Sequence, residues 1–489
     1  MSEENGNVLD EVDAGNIRRI HLVGVGGTGM GSFAGMLKAA GYVVTGSDEK
    51  VYPPMSDMLR GWEIPVMTPY SAQNLDQTKP DLAIIGNVIR RVNPEAAEVR
   101  ARRIPQMSFP AALGSLFLES RHSIVIAGTH GKTTTAAMMG HVLVSADRDP
   151  SFLVGGVTQN YLCNYRIGSG EHFVVEGDEY DTAYFDKGPK FLHYRPRTVI
   201  LTSVELDHAD IYRDLQHYES SFESLIRLIP PDGTLAVCAL YPNAVRMARA
   251  CRAQVLTYAA HPGDEVDFAA ASIALSTEGA RFTALDRGRK MGEVFLPMGG
   301  VHNVENAMGV LAASRALGLS FEEVAEGLSS FGGVKRRQEV RAEVGGVMVI
   351  DDFAHHPTAV RETIAAVHRR YPERRLWAVF EPRSNTSRRN IHQREYAQSF
   401  AGAARASIKI PEPHDKVPID EQLDVPSLIE SLKAQGIAAD SADSIDGLVN
   451  RVAQESRAGD LVLVMSNGSF GGLIDKVIGE LRKGTRERI

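Results

Sequence analysis

The segment Gly128-Thr129-His130-Gly131-Lys132-Thr133-Thr134-Thr135 has residues suited to holding phosphate. An apolar run, Ser123-Ile124-Val125-Ile126-Ala127, precedes it, and Ala136-Ala137-Met138-Met139-Gly140-His141-Val142-Leu143-Val144 follows it. A strand, a glycine turn, Lys-Thr and a helix together form a phosphate cradle. Backbone N–H groups at the helix start face the phosphates, Lys132 neutralises them, and the Thr133 hydroxyl suits Mg²⁺. The general G-x-x-x-x-G-K-[ST] pattern is not met, because Ile126 stands where its first glycine belongs. The reading is a nucleoside triphosphate site, with Gly128, Thr129, His130, Gly131, Lys132, Thr133 and Thr134 as its loop.

A second glycine-rich turn occurs near the N-terminus. His21-Leu22-Val23-Gly24-Val25-Gly26-Gly27-Thr28-Gly29 carries G-x-G-x-x-G, and Asp48 follows at about the spacing of a ribose-binding acid. Close backbone approach at a helix N-terminus suits any diphosphate, whether of a dinucleotide or of a UDP-sugar. Two phosphate cradles constrain function jointly. A redox enzyme does not need the second, and a switch ATPase does not need the first. A triphosphate used to activate a nucleotide-linked substrate accounts for both.

Carboxylates and histidines gather at the predicted strand ends. Phe173-Val174-Val175 leads into Glu176-Gly177-Asp178-Glu179, and Val199-Ile200-Leu201-Thr202-Ser203-Val204 leads into Glu205-Leu206-Asp207-His208. Mg²⁺ prefers oxygen donors, which favours Glu176 as a ligand; imidazole is less natural, so His208 stays open between ligand and loop residue, and Asp207 can equally cap a helix. Asn303 and Asn306 precede a helical run and can pair with an adenine edge or cap that helix. Ile350-Asp351-Asp352-Phe353-Ala354-His355-His356-Pro357 allows zinc, ribose or metal-bound water, with no spacing that completes a zinc site. Arg336 and Arg337 can reach a γ-phosphate if a third domain closes over the second.

Positioning these groups requires repeated strand–turn–helix units. Such units open at Arg19, Arg121 and near Val347, which predicts parallel sheets with helices on their faces. The expected fold is α/β with three domains: a Rossmann-like domain over 1–108, a central phosphate-loop domain over 109–334, and a Rossmann-like C-terminal domain over 335–489. Ile104–Pro110 reads as the first linker and Phe331–Arg337 as the second. Short alternating runs within 264–297 suggest a small antiparallel side sheet. The first fifteen residues are polar and expected to fray.

At 489 residues and 43% hydrophobic content the chain can bury several cores, and a net charge of −8 gives no electrostatic reason to expect nucleic acid. Cys163, Cys238 and Cys251 are odd in number and scattered, which fits a reducing compartment. The acidic N-terminus is unlike a signal peptide, and no apolar run spans a bilayer. A cytoplasmic protein without membrane insertion is expected.

Taken in order, these segments resemble the muramyl (Mur) ligase family of ATP-dependent amide-bond-forming enzymes, over essentially the whole chain. The shortened loop Gly128–Thr134, Glu176-Gly177-Asp178-Glu179, Asp207-His208, His302-Asn303-Val304-Glu305-Asn306, Arg337 and Asp352 follow the family order. The resemblance is strongest to the branch joining UDP-N-acetylmuramate to the murein tripeptide L-alanyl-γ-D-glutamyl-meso-diaminopimelate. It is carried by Ser47–Ser56, Asp351–Thr358 and Glu381-Pro382-Arg383-Ser384-Asn385-Thr386. The alternative within the family is the ligase that adds L-alanine.

The resemblance implies ATP and Mg²⁺ as cofactors. Lys132, Glu176 and His208 become catalytic groups, with Thr133, Glu176 and His208 as metal ligands. ATP falls to the loop together with Asn303, Asn306, Arg337 and Asp352. The UDP-sugar falls to Gly24, Gly26, Gly27, Thr28, Gly29 and Asp48, and the peptide to Arg383, Ser384 and Asn385. Several family members carry a carbamylated lysine where this chain has Phe222, so no carbamate can act here. A monomer or weak homodimer is expected. An NAD(P)-dependent oxidoreductase would leave Lys132 and Glu176 idle, and a switch ATPase would explain the central domain only.

Overall fold

In the computed structural model, residues 16–53, 55–261, 266–412 and 417–486 are described, so the expected fraying of the first fifteen residues lies outside them. Three sheets form, each opening on an apolar strand that the sequence marks. The first is wholly parallel and runs Val66–Met67, Val43–Ser47, Arg19–Val23, Leu82–Ile85, Gln106–Ser108 in spatial order. The reversal of order beside Arg19–Val23 leaves a crevice at the carboxyl end of that strand, where Gly24–Gly29 lies.

The central sheet has ten strands. Its parallel body contains Gln254–Ala259, Thr234–Cys238, Thr198–Leu201, His122–Ala127, His172–Gly177 and Ser151–Leu153. His122–Ala127 sits between Thr198–Leu201 and His172–Gly177, so the phosphate loop, the Glu205–His208 segment and the Glu176–Glu179 segment leave the sheet side by side. The third sheet is parallel apart from its edge strand Glu339–Val344, and places Val347–Asp352, Asp460–Met465 and Arg375–Phe380 next to one another.

Two expectations are corrected. The antiparallel strands Phe268–Leu275, Ala280–Asp286 and Arg289–Leu296 do not form a separate sheet; Tyr258 and Ala259 pair with Phe268 and Ala269, so they extend the main one. The Ile104–Pro110 stretch is not a tether either. Gln106–Ser108 completes the first sheet and is buried, and Pro110 lies in the first turn of the buried helix Phe109–Leu113. Proline is tolerated there because a helix start has no use for its N–H.

The first two units share one core. Phe33 packs edge-on against Phe109 and Phe117, with ring centroids 5.1 and 5.8 Å apart, and Phe117 reaches Phe173 of the central sheet at 6.5 Å. The C-terminal unit instead packs on two clusters drawn entirely from its own residues. No helix among the described residues is long and apolar enough to cross a membrane.

Candidate active site

The phosphate loop turns at Gly128, with φ +134°, and at Gly131, with φ +81°, conformations that side chains rarely adopt. Space also demands glycine: a Cβ would fall 2.2 Å from Thr202 Oγ1 at Gly128 and 2.6 Å from Asn306 Oδ1 at Gly131. The neighbouring strand end braces the loop. Thr129 N donates to the Ser203 carbonyl at 3.0 Å and His130 N to Ser203 Oγ at 2.8 Å. Those two amides are therefore engaged within the protein. The donors left for an anion are those of the first turn of the helix Lys132–Ser145, which have no intrahelical partner.

Around that turn the predicted catalytic groups converge. Thr133 Oγ1 donates to Glu176 Oε1 at 2.8 Å, and Glu176 Oε2 accepts from Gly155 N at 2.7 Å. Lys132 folds back over the loop, donating to the Gly128 carbonyl at 2.6 Å and to Glu179 Oε2 at 2.9 Å. His208 Nε2 lies 3.4 Å from Glu179 Oε1. From the third unit, Arg337 Nη2 donates to Thr133 Oγ1 at 3.2 Å and its guanidinium lies over the Phe353 ring. The third unit also meets the second where Thr358 Oγ1 donates to Glu205 Oε1 at 3.2 Å and Ala209 N to Thr386 Oγ1 at 3.3 Å.

The electrostatics follow from burying so many charges together. Burial works against charge on Lys132, yet Glu179, Asp178 and Glu176 outweigh it and raise its pKa. Burial would raise Glu179, but Lys132 and His208 hold it down at about 2. Glu176 goes the other way, pushed up by burial with Asp178 adding to it. Against its own burial, His208 is raised to about 9 by Asp207 and Glu179.

Other predicted residues are placed differently. Asp352 does not reach the loop: its carboxylate is buried and accepts from Gln338 N and Ala354 N, both at 2.8 Å, so it ties down the segment that carries Arg337. Asn303 donates to the Gly299 carbonyl at 2.7 Å and Asn306 abuts Gly131, so both amides are partly engaged by protein. Asp48 turns into the N-terminal glycine loop, accepting from Gly26 N at 2.7 Å and from Tyr70 Oη at 3.0 Å. Gly27, Thr28 and Gly29 stay exposed. A cavity of about 520 Å³ opens nearby, lined by Glu49, Lys50, Tyr52, Ser56, Arg60 and Thr68.

In the third unit Arg383 is exposed and packs against Gly468. Ser384 Oγ is used in a local turn, accepting from Ser387 N at 3.0 Å, and Asn385 Nδ2 donates across the interface to Asp210 Oδ2 at 2.8 Å. A larger cavity of about 680 Å³ lies by Arg388, Asn390 and Asp420, and no predicted site residue lines it.

Residues not chosen from the sequence also build the site. Ser203 and Thr202 brace the loop, Glu179 pairs with Lys132, and Glu205 and His356 join His130 of the predicted loop in a cluster whose potential ligand atoms lie within 4.8 Å of one another. Glu179 belongs to the same burst of carboxylates as Glu176 and was open to selection. His356 was visible only as part of an undecided histidine pair. It now faces His130 at a ring distance of 4.5 Å, and its Nε2 has no hydrogen-bond partner among the described residues. Phe222 is fully buried against Tyr218 and Phe191.

The comparisons with known proteins follow the same three units. Family models match in succession: Mur ligase family, catalytic domain, over residues 19–121; Mur ligase middle domain over 126–314; and Mur ligase, glutamate ligase domain, over 336–468. A UDP-N-acetylmuramate–L-alanyl-γ-D-glutamyl-meso-2,6-diaminoheptandioate ligase of Escherichia coli is 38% identical over 468 residues, covering 95% of this chain and 98% of that one. The chain belongs to the Mur ligase family. Another Mur ligase, the UDP-N-acetylmuramate–L-alanine ligase of Salinibacter ruber, is 36% identical and covers 80% of this chain and 79% of its own. The crystal structure of a murein peptide ligase from Psychrobacter arcticus superposes with a TM-score of 0.72 at 32% identity, covering 96% of this chain and 99% of that one. The three-unit α/β architecture is thus that of a Mur ligase throughout.

Proposed function

We propose that this Mur ligase joins the lactyl carboxylate of UDP-N-acetylmuramate to the amine of L-alanyl-γ-D-glutamyl-meso-diaminopimelate at the expense of ATP. The carrying observation is the meeting of Lys132, Thr133 and Glu176 of the second unit with Arg337 of the third. Near-full-length similarity to the tripeptide ligase of E. coli supports the choice of amine.

A carboxylate is a poor electrophile, so the reaction needs a better leaving group than oxide. The lactyl carboxylate oxygen attacks the γ-phosphorus, the bond to the β-phosphate oxygen breaks, and ADP leaves. The peptide amine then attacks the acyl phosphate carbonyl, phosphate departs, and the amine loses a proton. Lys132 and the helix N-terminus hold the phosphates and oppose the charge on the transferred group, which is mainly positioning and electrostatics. Arg337 adds a second cation from the third unit. The Thr133 hydroxyl and the Glu176 carboxylate are hard oxygen donors 2.8 Å apart, a set that would hold one Mg²⁺, and His208 would be a ligand of a second. When bound, Mg²⁺ supplies Lewis-acid stabilisation of phosphate charge. Gly26–Gly29 and the adjoining cavity take the UDP group, and Arg383, which makes no ion pair among the described residues, takes a peptide carboxylate.

The test is phosphate release with ATP and UDP-N-acetylmuramate plus either amine. Turnover is expected with the tripeptide. Turnover with L-alanine and none with tripeptide overturns the assignment, and release without either amine substrate favours a simple ATPase.

A further inference from the structure

One buried carboxylate has no place in the reaction as described. The Glu179 side chain is 1% exposed and lies between two side-chain nitrogens: Lys132 Nζ at 2.9 Å from Oε2, and His208 Nε2 at 3.4 Å from Oε1. Tyr218 Oη donates to the same Oε1 at 3.1 Å and is itself 3.0 Å from Thr129 Oγ1 of the phosphate loop. Tyr212 Oη closes the set on the Glu179 carbonyl. The carboxylate is therefore held from several sides and belongs to a frame connected to the loop. The Phe222 ring, fully buried and apolar, packs edge-on against Tyr218 at 5.1 Å and helps fix it.

A buried anion deprived of its cation costs several kcal/mol. Lys132 therefore has two claims on it, Glu179 and an incoming phosphate, and the loop carbonyl of Gly128 holds it within reach of both. We infer that Glu179 is a positioning residue for this reaction, holding the Lys132 ammonium over the phosphate loop and fixing His208 relative to it. The inference rests on the ATP-dependent reading above. It adds that part of the ATP binding energy is used to make Lys132 share its charge between Glu179 and phosphate, and that the carboxylate, still in contact, keeps the ammonium on the trajectory the transferred phosphoryl group needs.

This carries a signature that a purely structural role lacks. Glu179→Gln keeps shape and the Tyr218 hydrogen bond but removes the charge. Lys132 is then free to bind phosphate, so the dissociation constant of a non-hydrolysable ATP analogue and the KM for ATP fall severalfold. The ammonium is also less well placed, so kcat falls about 10- to 100-fold. Tyr218→Phe leaves the ion pair but removes one of its restraints, and shifts both quantities in the same directions by less. Both variants are compared with the wild type on whichever amine the wild type turns over, so the amine assignment can fail without touching the result. Analogue binding is measured calorimetrically, apart from turnover. A Glu179→Gln enzyme with unchanged kcat, or one whose affinity for the analogue drops, overturns the inference. If Glu179→Gln does not fold, the Tyr218→Phe variant decides by the same two measurements.

Discussion

Lys132 lies 2.6 Å from the Gly128 carbonyl and 2.9 Å from Glu179, so its ammonium points back over the loop that precedes it. The glycine fingerprint proposed for the UDP group is carried by a different sheet, so the two proposed phosphate sites should be chemically separable. Lys132→Ala is accordingly expected to lower kcat by about 10²- to 10³-fold, as loss of one preorganised charge does elsewhere. Calorimetric binding of UDP-N-acetylmuramate should be unchanged; its loss would show that the two sites are one. Arg383 offers a bidentate fork that makes no ion pair among the described residues, and a charged hydrogen bond contributes about 1.5–3 kcal/mol. Arg383→Ala should thus raise the KM for the tripeptide about 10- to 100-fold with the KM for ATP unmoved. Equal KM values for the peptide in both enzymes would remove Arg383 from that role. The loop residues, Glu176 and Arg337 were legible because local pattern carries their chemistry. Asp48 and Asp352 were legible as acids but not as loop anchors, since their partners Gly26, Tyr70 and Gln338 come from distant or turning chain. His356 was undecidable for the same reason: its neighbour His130 lies more than two hundred residues earlier.

The strand His122–Ala127 carries the phosphate loop at one end and a histidine pair at the other. His122 and His172 start adjacent parallel strands with rings 5.5 Å apart, and His122 Nε2 meets Thr198 Oγ1 of the strand on the other side at 2.8 Å. Burial, with His172 and Arg197 adding to it, holds His122 down at about 4, and burial lowers His172 as well. Both groups are held below the ordinary 6.5, so the unfolded chain binds more protons than the folded one as the pH falls below that value. Stability is fully present above 6.5 and falls as the pH drops through that window toward 4. The melting temperature should therefore decline between pH 7 and pH 5, and His122→Asn, which cannot ionise, should make the decline shallower. An unchanged slope in the variant would rule the pair out. Strand–turn–helix alternation made this sheet readable in its parallel body. It failed at 268–296, where alternating residues show antiparallel strands but not which neighbour they join, and at 104–110, where proline content suggested a tether. There Pro110 only starts a helix, and a register pairing Ile85 with Ser108 determines the outcome.

At the scale of the molecule, the first two units share one apolar core and the third has cores of its own. Phe33, from the first helix, is fully buried between Phe109 and Phe117, and Trp62 packs edge-on against Tyr165 of the central unit at 5.3 Å. The C-terminal unit has its own cores and meets the rest through polar contacts such as Arg337 with Thr133 and Asn385 with Asp210. Interfaces of that kind yield to relative motion, while a shared aromatic core does not. Such a division suits the proposed reaction, in which a triphosphate would enter between the second and third units before they close on it. It also makes unfolding modular. Calorimetry of the intact chain should show two transitions, one for the first two units together and one for the C-terminal unit. Phe33→Ala removes a buried aromatic and costs about 3–5 kcal/mol. It should lower the joint transition alone, and hydrogen exchange should quicken across 123–145 of the phosphate-loop unit although the substitution lies in the first. Adding a non-hydrolysable ATP analogue, which on the proposed reading would bridge Thr133 and Arg337, should draw the C-terminal transition up toward the other. If Phe33→Ala instead quickened exchange only within 16–108, the first two units would be independent and the third would not be the sole moving part.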